Sequence, residues 1–173
     1  KEFWEILVAI KFACEKAGVQ VVTGDTKVVE KGKGDKIFIN TTGIGELHPK
    51  ADIDIKNIKA GDKIIVSNDL ATHGIAIMSV REGLEFETDI ESDTRPLNGI
   101  VRSLLDKFGT KIHLLRDPTR GGVGTVLSEI AKDARLGVDI FQKDIPTNEQ
   151  VYGACEILGL DPLYVANEGI FIA

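Results

Sequence analysis

The sequence predicts a two-part chain of mixed α and β structure: a helix followed by strands, then a longer stretch in which helices and strands alternate. Three observations lead there. Apolar residues recur at the 3.6-residue period of a helix in some segments and in short β-branched runs in others. Breaks containing glycine and proline separate those segments. The 173 residues, 43% hydrophobic and 28% charged, are enough to bury a core.

In chain order, Phe3, Ile6, Leu7, Ile10, Ala13, Cys14 and Ala17 lie at helical spacing, and Gly18 stops the helix. Strands are expected at Val19 to Val22, at Val28 and Val29, and from Ile37 to Thr42 after the Lys31-to-Asp35 turn. The stretch from Gly43 to Lys50 interrupts the apolar pattern and is the expected domain junction. Beyond it the spacing predicts a strand at Lys63 to Val66 and helices at Leu70 to Arg81 and Pro96 to Phe108. A strand at Ile112 to Leu115, a helix from Val123 to Ala134 and a strand at Val138 to Phe141 follow. The pattern closes with a helix from Asn148 to Leu158 and strands at Leu163 to Val165 and Ile170 to Ala173, the last expected to leave a sheet edge open.

A net charge of -6, from 21 basic and 27 acidic residues without a basic cluster, argues against a nucleic-acid partner. No segment reads as membrane-spanning or as a secretion leader, so the cytoplasm is expected. Cys14 and Cys155 stand far apart in helical surroundings and are read as core thiols, not as a disulfide or a zinc pair.

Four segments have the residue types for chemistry. Arg116-Asp117-Pro118-Thr119-Arg120-Gly121-Gly122 lies between a strand and a helix, where unpaired N–H groups and glycines can seat a phosphate. Asp117 can hold Mg²⁺ there and Arg120 a phosphate, or the segment is simply a capped turn. In Thr23-Gly24-Asp25-Thr26-Lys27, Asp25 and Lys27 share a face of an extended chain and can serve a metal-bound nucleotide, or form a surface hairpin. In Ala166-Asn167-Glu168-Gly169, Glu168 can act as a base with Asn167 orienting an amide, or the segment is a turn. His73 and Asp69 stand where a strand passes into a helix.

Taken in order and spacing, VVTGDTKVV, FINTTGIG, HGIAIMSVREGLEFET, RDPTRGG and VYGACEILGLDPLYVANEG resemble the HypE family of hydrogenase maturation enzymes across essentially the whole chain. Single motifs also echo the wider AIR synthetase-like superfamily, with its selenophosphate synthetases and thiamine-monophosphate kinases. The resemblance implies an α+β, AIR synthetase-like (PurM-like) two-domain fold truncated at both ends. Residues 1–47 would be the remnant of an amino-terminal domain and 48–173 a carboxy-terminal domain without its final segment.

The resemblance further implies a homodimer that binds ATP with Mg²⁺ and works with a HypF-type carbamoyltransferase and a HypC-HypD-type iron scaffold. The family dehydrates a carbamoyl group on a carboxy-terminal tail cysteine to a thiocyanate, the source of the cyanide ligand of [NiFe] hydrogenase. It further assigns Lys27, Glu168 and His73 to proton and charge handling, and Asp25 and Asp117 to metal and nucleotide. Thr119, Arg120, Gly121, Gly122 and Asn167 are assigned to nucleotide binding. Ile170 stands where the family commonly has a lysine after NEG. The competing expectations are a phosphotransferase of the same superfamily, like selenophosphate synthetase, and a partner-docking module without chemistry.

Overall fold

The computed structural model describes residues 1–83 and 90–173, so the LEFET end of the run beginning at His73 lies outside the described residues. The chain divides into two compact units, Lys1–Pro49 and Lys50–Ala173.

In the first unit, α1 (Glu2–Ala17) has acidic Glu2 and Glu5 in its first turn and Lys16 in its last, which complements the helix dipole. It ends in a left-handed Gly18, where the N–H groups of Gly18 and Val19 close on the carbonyls of Glu15 and Cys14. None of its residues is buried. The expected strands at Val19 to Val22, Val28 to Val29 and Ile37 to Thr42 form no ladder among the described residues. A strand is stable only when paired, and these apolar runs have no ladder partner among the described residues of Lys1–Pro49.

The second unit holds α2 (Thr72–Glu82), α3 (Asn98–Phe108), α4 (Gly122–Ala134) and α5 (Glu149–Leu158). Their positions follow the apolar periodicity closely, and Asn148 caps α5 by accepting from the Gln150 N–H at 2.9 Å. Leu70, Ile75, Val126, Leu127, Val151, Cys155, Ile170 and Ile172 form the core, with α2 packed on α5. Burial pushes the Cys155 thiol above its ordinary pKa, with Asp161 adding to the effect, so it remains a protonated core side chain.

The final residues pair on both sides. Ile65 and Ala173 exchange N–H···O bonds at 2.9 Å, while Arg116 and Ile172 exchange theirs at 2.9 and 2.8 Å. Ile170 to Ala173 is thus a central segment rather than the open edge expected, because Val66 and Arg116 flank it. The expected strand at Leu163 to Val165 is instead a single 3₁₀ turn, Pro162–Tyr164. Pro162 sits at its start with φ preset for a turn, and the Asp161 carboxylate accepts from the Leu163 N–H at 2.9 Å. The expected strand at Val138 to Phe141 has no ladder partner among the described residues.

Candidate functional site

Asn167 organises the second unit's polar centre. It is fully buried, and each of its amide atoms is engaged. Its Oδ1 accepts from the Ala71 N–H at 2.8 Å. Its Nδ2 donates to the carbonyls of Pro118 at 3.1 Å and Val165 at 3.0 Å. One side chain therefore ties together the start of α2, the RDPTRGG loop and the turn carrying Glu168. Asn167, expected to meet nucleotide, uses both Nδ2 donors and one Oδ1 lone pair on backbone groups of the protein.

That bond explains a strained residue. Ala71 has φ 70, in the left-handed region, which costs an alanine about 1–2 kcal/mol. Its N–H is aimed at Asn167, and one turn on, the Gly74 N–H donates to the Ala166 carbonyl at 3.0 Å. Residues 71–74 and 166–167 are thereby laced together, which brings His73 and exposed Glu168 onto neighbouring segments.

The RDPTRGG loop leads into the N-terminus of α4. Asp117 is exposed, and its carboxylate accepts from the Thr119 hydroxyl at 3.0 Å. Beside it is a cavity of about 380 Å³ lined by Arg116, Asp117, Thr119, Arg120, Val126 and Glu129. Arg116 and Glu129 face each other there at 3.5 Å, both about half exposed. Guanidinium groups, a hydroxyl and the positive end of α4 offer donors to an anion, and Asp117 offers oxygens to a hard cation.

The two glycines serve different ends. Gly121, exposed at φ 71, forms the cap of α4. Gly122, expected to face phosphate, is buried against protein: a Cβ there would overlap the Leu163 carbonyl and crowd that of Val165. Its missing side chain lets α4 sit flush on the Pro162–Tyr164 turn.

Near Glu168, the segment Ser92 to Arg95 went unread in the sequence. The Arg95 Nε–H donates to the Gly169 carbonyl at 3.0 Å, and the Ser92 hydroxyl lies 2.8 Å from His73 Nδ1 and 2.7 Å from the Thr94 hydroxyl. Both carboxylate oxygens of Asp93 are buried with no hydrogen-bond partner among the described residues. The polar run Ser-Asp-Thr-Arg before Pro96 was the available signal, but such runs usually do no more than precede a helix.

Asp25 and Lys27 lie in the first unit, both exposed. The Asp25 carboxylate accepts from the Thr26 N–H at 2.9 Å, and Lys27 lines an open depression of about 330 Å³ with Val28, Val29, Glu30 and Lys33. Among the described residues no group of three or more His, Cys, Asp or Glu side chains forms a metal cage. Single exposed carboxylates such as Asp117 suit a magnesium ion that shares its shell with water and phosphate.

Residues 1–47 match the AIR synthase related protein N-terminal domain, and residues 59–173 match the corresponding C-terminal domain. The chain is 49% identical over 168 residues to carbamoyl dehydratase HypE of Azotobacter vinelandii, covering 97% of this chain and 49% of that protein. It superposes on a chain of a crystal structure of a HypE-HypF complex with TM-score 0.95 at 48% identity, over 99% of this chain and 56% of the other. A HypE crystallised with ATP gives TM-score 0.93 at 45% identity, over 97% of this chain and 50% of that one. The chain spans about half the length of the curated relatives it matches.

Proposed function

The chain belongs to the AIR synthase-related family, in its HypE branch, and from that premise we propose that it is part of an ATP-dependent carbamoyl dehydratase of hydrogenase maturation. The observation that carries this reading is the junction at Asn167, which ties the RDPTRGG loop, the start of α2 and the Glu168 turn together. Binding of ATP by a HypE relative supports a nucleotide role for the Asp117 cavity.

The substrate is a carbamoyl group on the sulfur of a carboxy-terminal tail cysteine. An amide oxygen is a poor leaving group. Its attack on the γ-phosphorus of ATP releases ADP and turns that oxygen into a phosphate ester, while one N–H proton is lost. Breaking the C–O bond then expels phosphate, the second N–H proton leaves, and carbon and nitrogen are joined by a triple bond in the thiocyanate. The chain's contribution is to hold the phosphates and to take those protons.

In this reading Glu168 removes protons from the amide nitrogen, Lys27 stabilises developing charge, and His73 exchanges a proton close by. Thr119, Arg120 and the N-terminus of α4 hold phosphate oxygens, while Asn167 fixes the loop from below. Asp117 in the second unit and Asp25 in the first are each proposed to offer carboxylate oxygens to magnesium, which would supply neutralisation of phosphate charge when bound. Residues 1–47 and 48–173 are read as the two domains. The proposed partners are a HypF-type carbamoyltransferase, with a HypE-HypF complex among the relatives, and a HypC-HypD-type iron scaffold that receives the cyanide. A homodimer in the cytoplasm completes the reading.

The test is substitution in the full-length protein. Lys27→Ala and Glu168→Ala abolish ATP-dependent dehydration while leaving the melting temperature unchanged. Undiminished turnover in both variants rules out the assigned roles.

A further inference from the structure

The geometry around Glu168 and His73 points to a positioning segment, and we propose that Ser92 and Arg95 hold these two groups in register for the dehydration. The inference rests on the reading of Glu168 as the base. Three separate contacts carry it. The Arg95 Nε–H donates to the Gly169 carbonyl at 3.0 Å, which fixes the Gly169–Ile170 peptide, one residue beyond Glu168. The Asp93 backbone carbonyl packs so closely on Gly169 that a Cβ there would overlap it, so position 169 accepts no larger residue while the two segments stay in contact. The Ser92 hydroxyl lies 2.8 Å from His73 Nδ1 and is itself held by the Thr94 hydroxyl at 2.7 Å and the Thr94 N–H at 3.2 Å.

The chemistry needs this arrangement. Glu168 is exposed on a short turn, and an exposed glutamate on an unconstrained turn samples many orientations. A histidine exchanges protons usefully at one nitrogen only when the other has a fixed partner. Occupying Nδ1 with Ser92 leaves Nε2 as the ring nitrogen available for proton exchange. Because Ser92 and Arg95 belong to one four-residue segment, any shift that moved one group would move the other with it. The Asp93 carboxylate in the middle of that segment is buried, with no hydrogen-bond partner among the described residues. Neither Ser92 nor Arg95 needs to touch substrate for this role.

The experiment uses the full-length protein carbamoylated on its tail cysteine, with Mg-ATP as the probe. Single-turnover dehydration, the KM for ATP and the melting temperature are measured for Ser92→Ala, Arg95→Ala, Ser92→Thr, Arg95→Lys and Glu168→Gln. Ser92→Ala and Arg95→Ala are expected to slow dehydration roughly tenfold or more with KM for ATP and melting temperature unchanged. Ser92→Thr and Arg95→Lys, which keep a hydroxyl and a donor, recover most of the rate. Parental rates in both alanine variants beside an inactive Glu168→Gln overturn the positioning role and leave the base in place. A parental rate in Glu168→Gln overturns the reading of the base itself. A fall in melting temperature or in ATP binding with no recovery in the conservative variants also overturns the proposal, because it marks the segment as structural only.

Discussion

At the scale of the residue, Asn167 has the greatest consequence. Its three hydrogen bonds reach Ala71, Pro118 and Val165, and two of those partners are remote in sequence. Removing the amide orphans buried backbone groups at each end, so Asn167→Ala is expected to lower stability by about 3 kcal/mol or more. Urea unfolding measures this, and a loss below about 1 kcal/mol would show that the three segments hold together without it. The motif around Asn167 was legible in the sequence as a polar turn between apolar runs. Its inward role was not, because a linear sequence does not reveal that residues 71 and 118 converge on position 167. The same limit hid Ser92 and Arg95, whose meaning comes only from His73 and Gly169.

At the scale of the element, helices were legible and pairing was not. The apolar periods of α1 to α5 are local properties, and caps such as Gly18 and Asn148 mark their ends. The β regions depend on distant neighbours, and only the pairing of the 170–173 segment with Val66 and Arg116 forms bridges among the described residues. Leu163 to Val165 has a strand's composition, yet Pro162 and Asp161 bend it into the 3₁₀ turn on which α4 rests. Gly122 makes that seat possible. Gly122→Ala would place a Cβ in a left-handed residue and against the Leu163 carbonyl, with an expected cost of at least about 2 kcal/mol. Gly137→Ala, where nothing lies within 4 Å, is the control and is expected to be nearly neutral in the same melt. Equal melting temperatures for the two variants would contradict the seating of α4 on the turn.

At the scale of the whole molecule, the two units differ in kind. Lys50–Ala173 buries a core of its own, whereas Lys1–Pro49 leaves Trp4 70% and Val28 89% exposed. The acidic net charge sets no function, and among the described residues no helix is long and apolar enough to cross a membrane. The proposed function rests on a few short segments of otherwise ordinary composition and on the Asn167 junction, not on any bulk property. The proposed dehydration is read directly from the intact mass of the full-length protein, carbamoylated on its tail cysteine, before and after incubation with Mg-ATP. The account predicts the loss of one water, dependent on ATP. An unchanged mass in a folded, carbamoylated protein that binds ATP would contradict it and favour a phosphotransferase of the same superfamily or a partner-docking module.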